Sequence, residues 1–249
     1  MLRTPKQKLW IFDFDGTLSP IVPDRGKAII DPTCKKLLQD LVGNPLCRVA
    51  VLSSRSLEDL ASRVQTPEVF LGGGSGAEWS IHGGHRLQIS GDYEERLNRV
   101  RNDTISPIKK FSAIPGIELE DKNWSVAMHI RGASSKSRKI FFRRLKQWKP
   151  PFDIRILHGP EVIEVQFLPE INKTFGVRIF CEFNKFDPQF GMLVYAGDDE
   201  NDALAMQYVL ELGGIAFTVG EHPLVPGARV VEGLSSLAQE IRKLAGLKG

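Results

Sequence analysis

Cysteine is scarce in this chain. The 249 residues hold three, Cys34, Cys47 and Cys181, scattered and odd in number. They offer neither zinc-ligand spacing nor a disulfide framework, so a reducing, cytoplasmic setting is expected. Long apolar runs are also missing. None is long enough to span a bilayer, and Leu9–Phe12 is too short for a secretory leader and ends in acids. Neither sign of charge dominates: 33 basic against 30 acidic residues give +3, too little to argue for nucleic acid or a membrane surface. The run Gly72-Gly73-Gly74-Ser75-Gly76 lacks the Gly-Lys-Ser/Thr of a phosphate-cradling loop, and reads as a flexible junction or a tight connection. No internal repeat or low-complexity tract is present. What remains, 42% hydrophobic and 25% charged, is ordinary for a globular chain with a sizeable core.

What is present centres on Leu9-Trp10-Ile11-Phe12-Asp13-Phe14-Asp15-Gly16-Thr17-Leu18-Ser19-Pro20. An apolar, aromatic run suits a strand buried on both faces. Two acids follow, two residues apart, so in extended backbone both side chains point the same way. Carboxylates at a buried strand end repel each other, and Mg²⁺, with its preference for oxygen ligands, relieves that conflict. Gly16 permits a sharp turn just beyond them.

The rest of the chain alternates. Asp31 and Pro32 open a helix whose Cys34, Leu37, Leu38, Leu41 and Val42 form one stripe, stopped at Gly43-Asn44-Pro45. Arg48–Leu52 is a strand ending in Ser53-Ser54-Arg55, Ser56 caps a further helix, and Val69–Leu71 is a third strand. This order predicts a right-handed parallel α/β sheet. Residues 80–167 then read as a separate α+β unit. It has hairpins around Gly83-Gly84, Asn123 and His158-Gly159-Pro160, and helices over about 93–111 and 135–148. The second helix is rich in Lys and Arg, read as a solvated face rather than a nucleic-acid contact, given the near-neutral total charge. The α/β pattern resumes with a strand ending at Gly197-Asp198-Asp199-Glu200-Asn201-Asp202, and Ser236 with Gln239 suggests a capping box for the last helix. Residues 1–79 and 168–249 are therefore expected to form one discontinuous core.

In an open parallel sheet, ligands sit outside the carboxyl ends of the strands. There the sequence delivers Asp13 and Asp15, Ser53, and Asp198, Asp199 and Asp202, with Lys173 following the insertion. Many acids with one lysine suit Mg²⁺ and a phosphate. Asp13 is the candidate nucleophile and Asp15 the acid and base, while Ser53 and Lys173 hold phosphoryl oxygens.

Asp13-Phe14-Asp15-Gly16-Thr17, Ser53, Lys173 and Gly197-Asp198-Asp199-x-x-Asp202 resemble the four motifs of the haloacid-dehalogenase superfamily of phosphatases. Further stretches resemble trehalose-6-phosphate phosphatases: Leu18-Ser19-Pro20-Ile21, Leu52-Ser53-Ser54-Arg55, Gly76-Ala77-Glu78, Glu120-Asp121-Lys122, Val126–Arg131 and Val162-Ile163-Glu164-Val165. The resemblance implies a Rossmann-like core with a mobile α+β cap. It implies Mg²⁺ on Asp13, the Asp15 carbonyl and Asp198, supported by Asp199 and Asp202. Gly16 and Arg55 in the core, and Glu120, Lys122, Arg131 and Glu164 in the cap, are then the substrate-binding candidates. His129 also matches, but reads as a packed strand residue. Gly74-Ser75-Gly76, Gln166 and Thr174 depart from the family pattern. The implied activity is Mg²⁺-dependent hydrolysis of a sugar phosphate, foremost trehalose 6-phosphate. The open alternatives are another glycosyl phosphate (glucosyl- or mannosyl-glycerate phosphate, sucrose phosphate) or a non-catalytic sugar-phosphate-binding module. A monomer whose partner is a small molecule, not nucleic acid or membrane, is expected.

Overall fold

The computed structural model describes residues 7–81, 84, 86–87, 91–159 and 161–247, the side chains of 86, 87 and 91 excepted. In chain order the elements are β1 (Lys8–Phe12), α1 (Pro32–Val42), β2 (Cys47–Leu52), α2 (Leu57–Arg63), β3 (Phe70–Gly73), β4 (Glu78–Ile81), β5 (Arg86–Leu87) and α3 (Gly91–Lys109). They continue with β6 (Glu118–Asp121), β7 (Ser125–His129), α4 (Ser135–Gln147), β8 (Arg155–Gly159), β9 (Val162–Gln166) and α5 (Lys173–Phe183). The chain closes with β10 (Met192–Gly197), α6 (Glu200–Glu211), β11 (Ile215–Val219), β12 (Arg229–Val231) and α7 (Leu234–Ala245).

Two compact units result, Met1–Leu87 with Ile171–Gly249, and Gln88–Glu170. The first is built on an eight-stranded sheet in the order β12-β11-β10-β1-β2-β3-β4-β5. The six strands from β12 to β3 run parallel, and β4 and β5 are antiparallel. Leu9, Trp10, Ile11 and Phe12 of β1 are wholly buried, as a central strand covered on both faces requires. Asp31 caps α1 by accepting from the N–H groups of Thr33 and Cys34, and Cys34, Leu37, Leu38 and Leu41 face the core.

The second unit is a four-stranded antiparallel sheet in the order β6-β7-β9-β8, together with α3 and α4. Along β9 the buried Ile163 and Val165 alternate with the less buried Val162, Glu164 and Gln166, the period-two pattern of a sheet with one core face, while the central β7 is buried from Ser125 to Met128.

Some elements differ from the sequence expectation. The hairpin around Gly83-Gly84 pairs Trp79 with Leu87 at the edge of the first sheet, so this unit runs past residue 79. Gly83, Gln88 and Ile89 of that hairpin, and Pro160 of the third, lie outside the described residues. The capping box at Ser236 and Gln239 does not form, because α7 starts at Leu234, three residues before that cap would start it, behind Gly233 with no side-chain cap. Gly74–Gly76 form a tight turn of left-handed backbone, with φ of +56°, +60° and +95°, rather than a loose linker.

Candidate active site

The site lies beyond the carboxyl ends of the parallel strands. Asp13 follows β1, Ser53 follows β2, Asp198 and Asp199 follow β10, and Lys173 opens α5. Strand β1 lies between β10 and β2. The connections leave it in opposite directions there, which opens a crevice at the strand ends.

Lys173 Nζ is 2.7 Å from Asp13 Oδ1 and 2.6 Å from Asp202 Oδ1, and all three side chains are buried. Carboxylate oxygens of Asp13, Asp198 and Asp202 lie within 4.8 Å of one another. Three carboxylates against one ammonium leave two negative charges uncompensated. Burial, then Asp202 and Asp199, pushes Asp198 up to about 7. Burial pushes Asp13 upward as well, against the pull of Lys173. Burial also opposes charge on Lys173, but Asp13, Asp202 and Asp199 outweigh it and raise the ammonium further. The lysine is therefore charged, and the strain sits on the acids.

The donor chemistry tests whether a divalent cation fits. Oxygens only, in excess negative charge, match Mg²⁺. Asp202 is already spent within the protein. Its Oδ1 accepts from Lys173 and from the Tyr195 hydroxyl at 2.5 Å, and its Oδ2 accepts from the N–H groups of Asp198 at 3.2 Å and Asp199 at 3.3 Å. Those bonds use the roughly four lone-pair sites a carboxylate offers. Asp13 and Asp198 are the carboxylates left to face an ion. Gly16 makes room beside them: its φ is +81°, and a Cβ there would lie 2.0 Å from Asp198 Oδ2. Asp199 caps α6, accepting from the N–H of Asn201, and Asp202 completes the capping box.

Ser53 is 1% exposed, and its Oγ accepts from the N–H of Arg55 at 3.2 Å. Its own proton remains available for a phosphoryl oxygen. Asp15 lies outside the group of carboxylates gathered around Lys173. Arg55 instead holds Asp15 in a two-point pair, Nε to Oδ2 at 2.8 Å and Nη2 to Oδ1 at 2.6 Å, with Arg25 3.5 Å from Oδ2. Burial opposes ionisation of Asp15, but Arg55 and Arg25 prevail and lower its pKa. Arg55 is 4% exposed and also donates to Asp59 and to the Arg25 carbonyl.

In the second unit, Lys122 Nζ meets Glu164 Oε2 at 3.2 Å, and Ser125 Oγ donates to Glu164 Oε1 at 2.6 Å. Glu120 pairs with His129 Nε2 at 2.9 Å, so His129 is a polar partner rather than packing. Arg131 pairs with Glu161.

Sequence reasoning missed Tyr195, Asp59 and Ser125. Tyr195 lies inside the apolar run of β10, where an aromatic reads as core, although a buried tyrosine hydroxyl calls for a partner. Asp59 stands four residues after Arg55, the spacing of a helical ion pair.

Comparisons with known proteins assign the chain to a family. Residues 11–223 match the family model described as trehalose-phosphatase. A trehalose-phosphate phosphatase of Mycobacterium tuberculosis is 28% identical over 253 residues, covering 96% of this chain and 63% of the relative. Trehalose-phosphate phosphatase B of Arabidopsis thaliana is 26% identical over 238 residues, covering 88% of this chain and 60% of the relative. The chain thus spans less than two thirds of these curated relatives. The C-terminal domain of a trehalose-6-phosphate phosphatase from C. albicans superposes with a TM-score of 0.72 at 19% identity, covering 98% of this chain and 93% of that one, which establishes the shared fold. By the match over most of its length, the chain belongs to the trehalose-phosphatase family.

Proposed function

We propose that this protein is a phosphatase that releases phosphate from trehalose 6-phosphate. The observation that carries the reading is the buried Asp13–Lys173 pair beside Asp198, in a chain of this family. Asp13 Oδ attacks phosphorus and the bond to the sugar oxygen breaks, leaving an aspartyl phosphate. Asp15 gives a proton to the departing alcohol. It then takes one from the water that attacks the acyl phosphate, which restores Asp13 and frees phosphate. The Arg55 pair favours ionised Asp15, the form that accepts the water's proton; delivering a proton to the alcohol requires that pair to loosen. Lys173 and the Ser53 hydroxyl hold the phosphoryl oxygens as charge builds. Asp13, the Asp15 carbonyl and Asp198 would hold Mg²⁺, with Asp199 and Asp202 in support. The bound ion would offset the acids' repulsion and polarise the phosphoryl group.

Glu120, Lys122, Glu164 and Arg131 would read sugar hydroxyls, since charged groups with directional hydrogen bonds suit a hydroxyl-rich disaccharide. A phosphate-release assay over trehalose 6-phosphate, sucrose phosphate and the glycosyl-glycerate phosphates, with and without chelator, tests substrate and metal together. The expected result is preference for trehalose 6-phosphate, loss of activity with chelator, and a fall in kcat of roughly a thousandfold or more in Asp13→Asn. Unchanged turnover in that variant would remove the nucleophile from the scheme.

A further inference from the structure

Asp15 ends a chain of alternating charges that runs through Arg55 and Asp59 to Arg63. Arg55 offers two different edges of its guanidinium. Nε and Nη2 go to Asp15, while Nη1 goes to Asp59 Oδ2 at 2.6 Å. Asp59 therefore holds the cation without competing for the donors that Asp15 takes. Arg63 braces Asp59 in turn, with Nη2 2.7 Å from Oδ1 and Nε 3.1 Å from both oxygens. Arg63 Nη1 donates to the Ala28 carbonyl at 2.5 Å, which ties the far end of the chain to the loop before α1. Asp59 stands in the first turn of α2, where its N–H donates to the Ser56 cap. The Arg55 guanidinium also lies 5.5 Å from the centre of the Phe14 ring, within reach of a cation–π contact. One carboxylate is enough to pair a buried arginine. Arg55 has two, and Asp15 alone of them belongs to the proposed reaction. What the second adds is direction.

We propose that Asp59 is a positioning residue: by fixing Arg55 it fixes the orientation in which Asp15 meets the sugar oxygen. The proposal rests on the phosphatase reading above. When the pair to Asp15 loosens for proton delivery, Asp59 keeps the guanidinium in place, and the carboxyl pivots against a stationary partner. Without Asp59 the long arginine side chain follows Asp15, and the proton donor loses its line to the departing oxygen. A misplacement of about 1 Å can cost roughly a hundredfold in rate.

Asp59→Ala and the isosteric Asp59→Asn test this on the sugar phosphate the wild type prefers, against p-nitrophenyl phosphate. A sugar alkoxide needs a proton to leave, whereas p-nitrophenolate departs without one. For both substrates kcat/KM reports the steps up to departure of the alcohol or phenol. The ratio of kcat/KM for sugar phosphate over p-nitrophenyl phosphate is expected to fall at least roughly tenfold in Asp59→Ala and by less in Asp59→Asn, with KM little changed. Asp59→Glu, which keeps a charged acceptor, recovers part of the ratio. A general loss of packing lowers both substrates together, so a parallel loss overturns the positioning role, as does a ratio within about twofold of wild type in both variants. Either result leaves the phosphatase reading standing. A wild type that releases phosphate from no sugar phosphate overturns that reading, and the role of Asp59 with it.

Discussion

Tyr195 places a hydroxyl beside a carboxylate where both side chains are wholly buried. Its proton goes to Asp202 Oδ1, the oxygen that also receives Lys173. Removing it leaves Asp202 less firmly held and lets the lysine drift from Asp13. Tyr195→Phe is expected to lower kcat about tenfold with KM little changed, since a hydrogen bond to a charged group contributes roughly 1.5–3 kcal/mol. Steady-state kinetics beside a thermal melt checks it; an equal loss in Trp10→Phe, which gives up the bond from Trp10 to Cys47 Sγ, would make the effect one of general packing. At this scale the sequence was most legible where a side chain contradicted its surroundings. Asp13 and Asp198 stand out because charge ends apolar runs, whereas Lys173, in Glu170-Ile171-Asn172-Lys173, stands out only by its place after the insertion. The pairing of Asp15 was not legible, because it depends on Arg55, forty positions later. Tyr195 conformed to its apolar neighbours and so was hidden.

Among the elements, the glycine-rich turn after β3 shows how a local reading falls short of a tertiary cause. Gly76 has φ +95°, and a Cβ there would stand 2.3 Å from the Cα of Gly176 on α5. Two glycines far apart in sequence thus let the turn and the helix that carries Lys173 approach closely. Gly76→Ala combines a left-handed backbone with a clash against backbone, and is expected to cost roughly 2–4 kcal/mol, measured by urea unfolding. A variant as stable as wild type would show that α5 can move aside freely. Periodicity made α1, α4 and the paired strands legible, since one buried stripe or face dictates each. The caps Asp31 and Ser56 were legible too, those of α6 and α7 less so. Asp199 and Asp202 read as metal support, yet they also cap α6, and α7 begins where its packing face begins rather than at the apparent cap.

For the whole molecule, the acid cluster ties stability to pH and to metal. Asp198 titrates at about 7 in the fold and near 3.9 in an unfolded chain. Between those values the fold binds more protons than the unfolded chain, so stability falls as pH rises through that window. Calorimetry without divalent ions should show Tm falling from about pH 5 to about pH 7.5. Mg²⁺ at a hundred times its Kd should restore about 2.7 kcal/mol, with the larger gain at the higher pH. A Tm indifferent to Mg²⁺ at both values would remove the ion from this cluster. The broad architecture was legible because strand and helix patterns stop and resume around the insertion. Its first edge was less so, since β4 and β5 carry no local mark of the sheet they join.

Strand β1 is flanked by β2 and by β10, with Trp10 opposite Val49 on one side and Val194 on the other. As the polypeptide leaves the ribosome, one flank of β1 can be closed early. The other must wait until the whole insertion and α5 have been synthesised. During that interval the future centre of the sheet behaves as an exposed edge, open to pairing with neighbouring chains. Slowed synthesis or premature termination before β10 therefore threatens solubility more than a fault of equal length at the far end of the sheet.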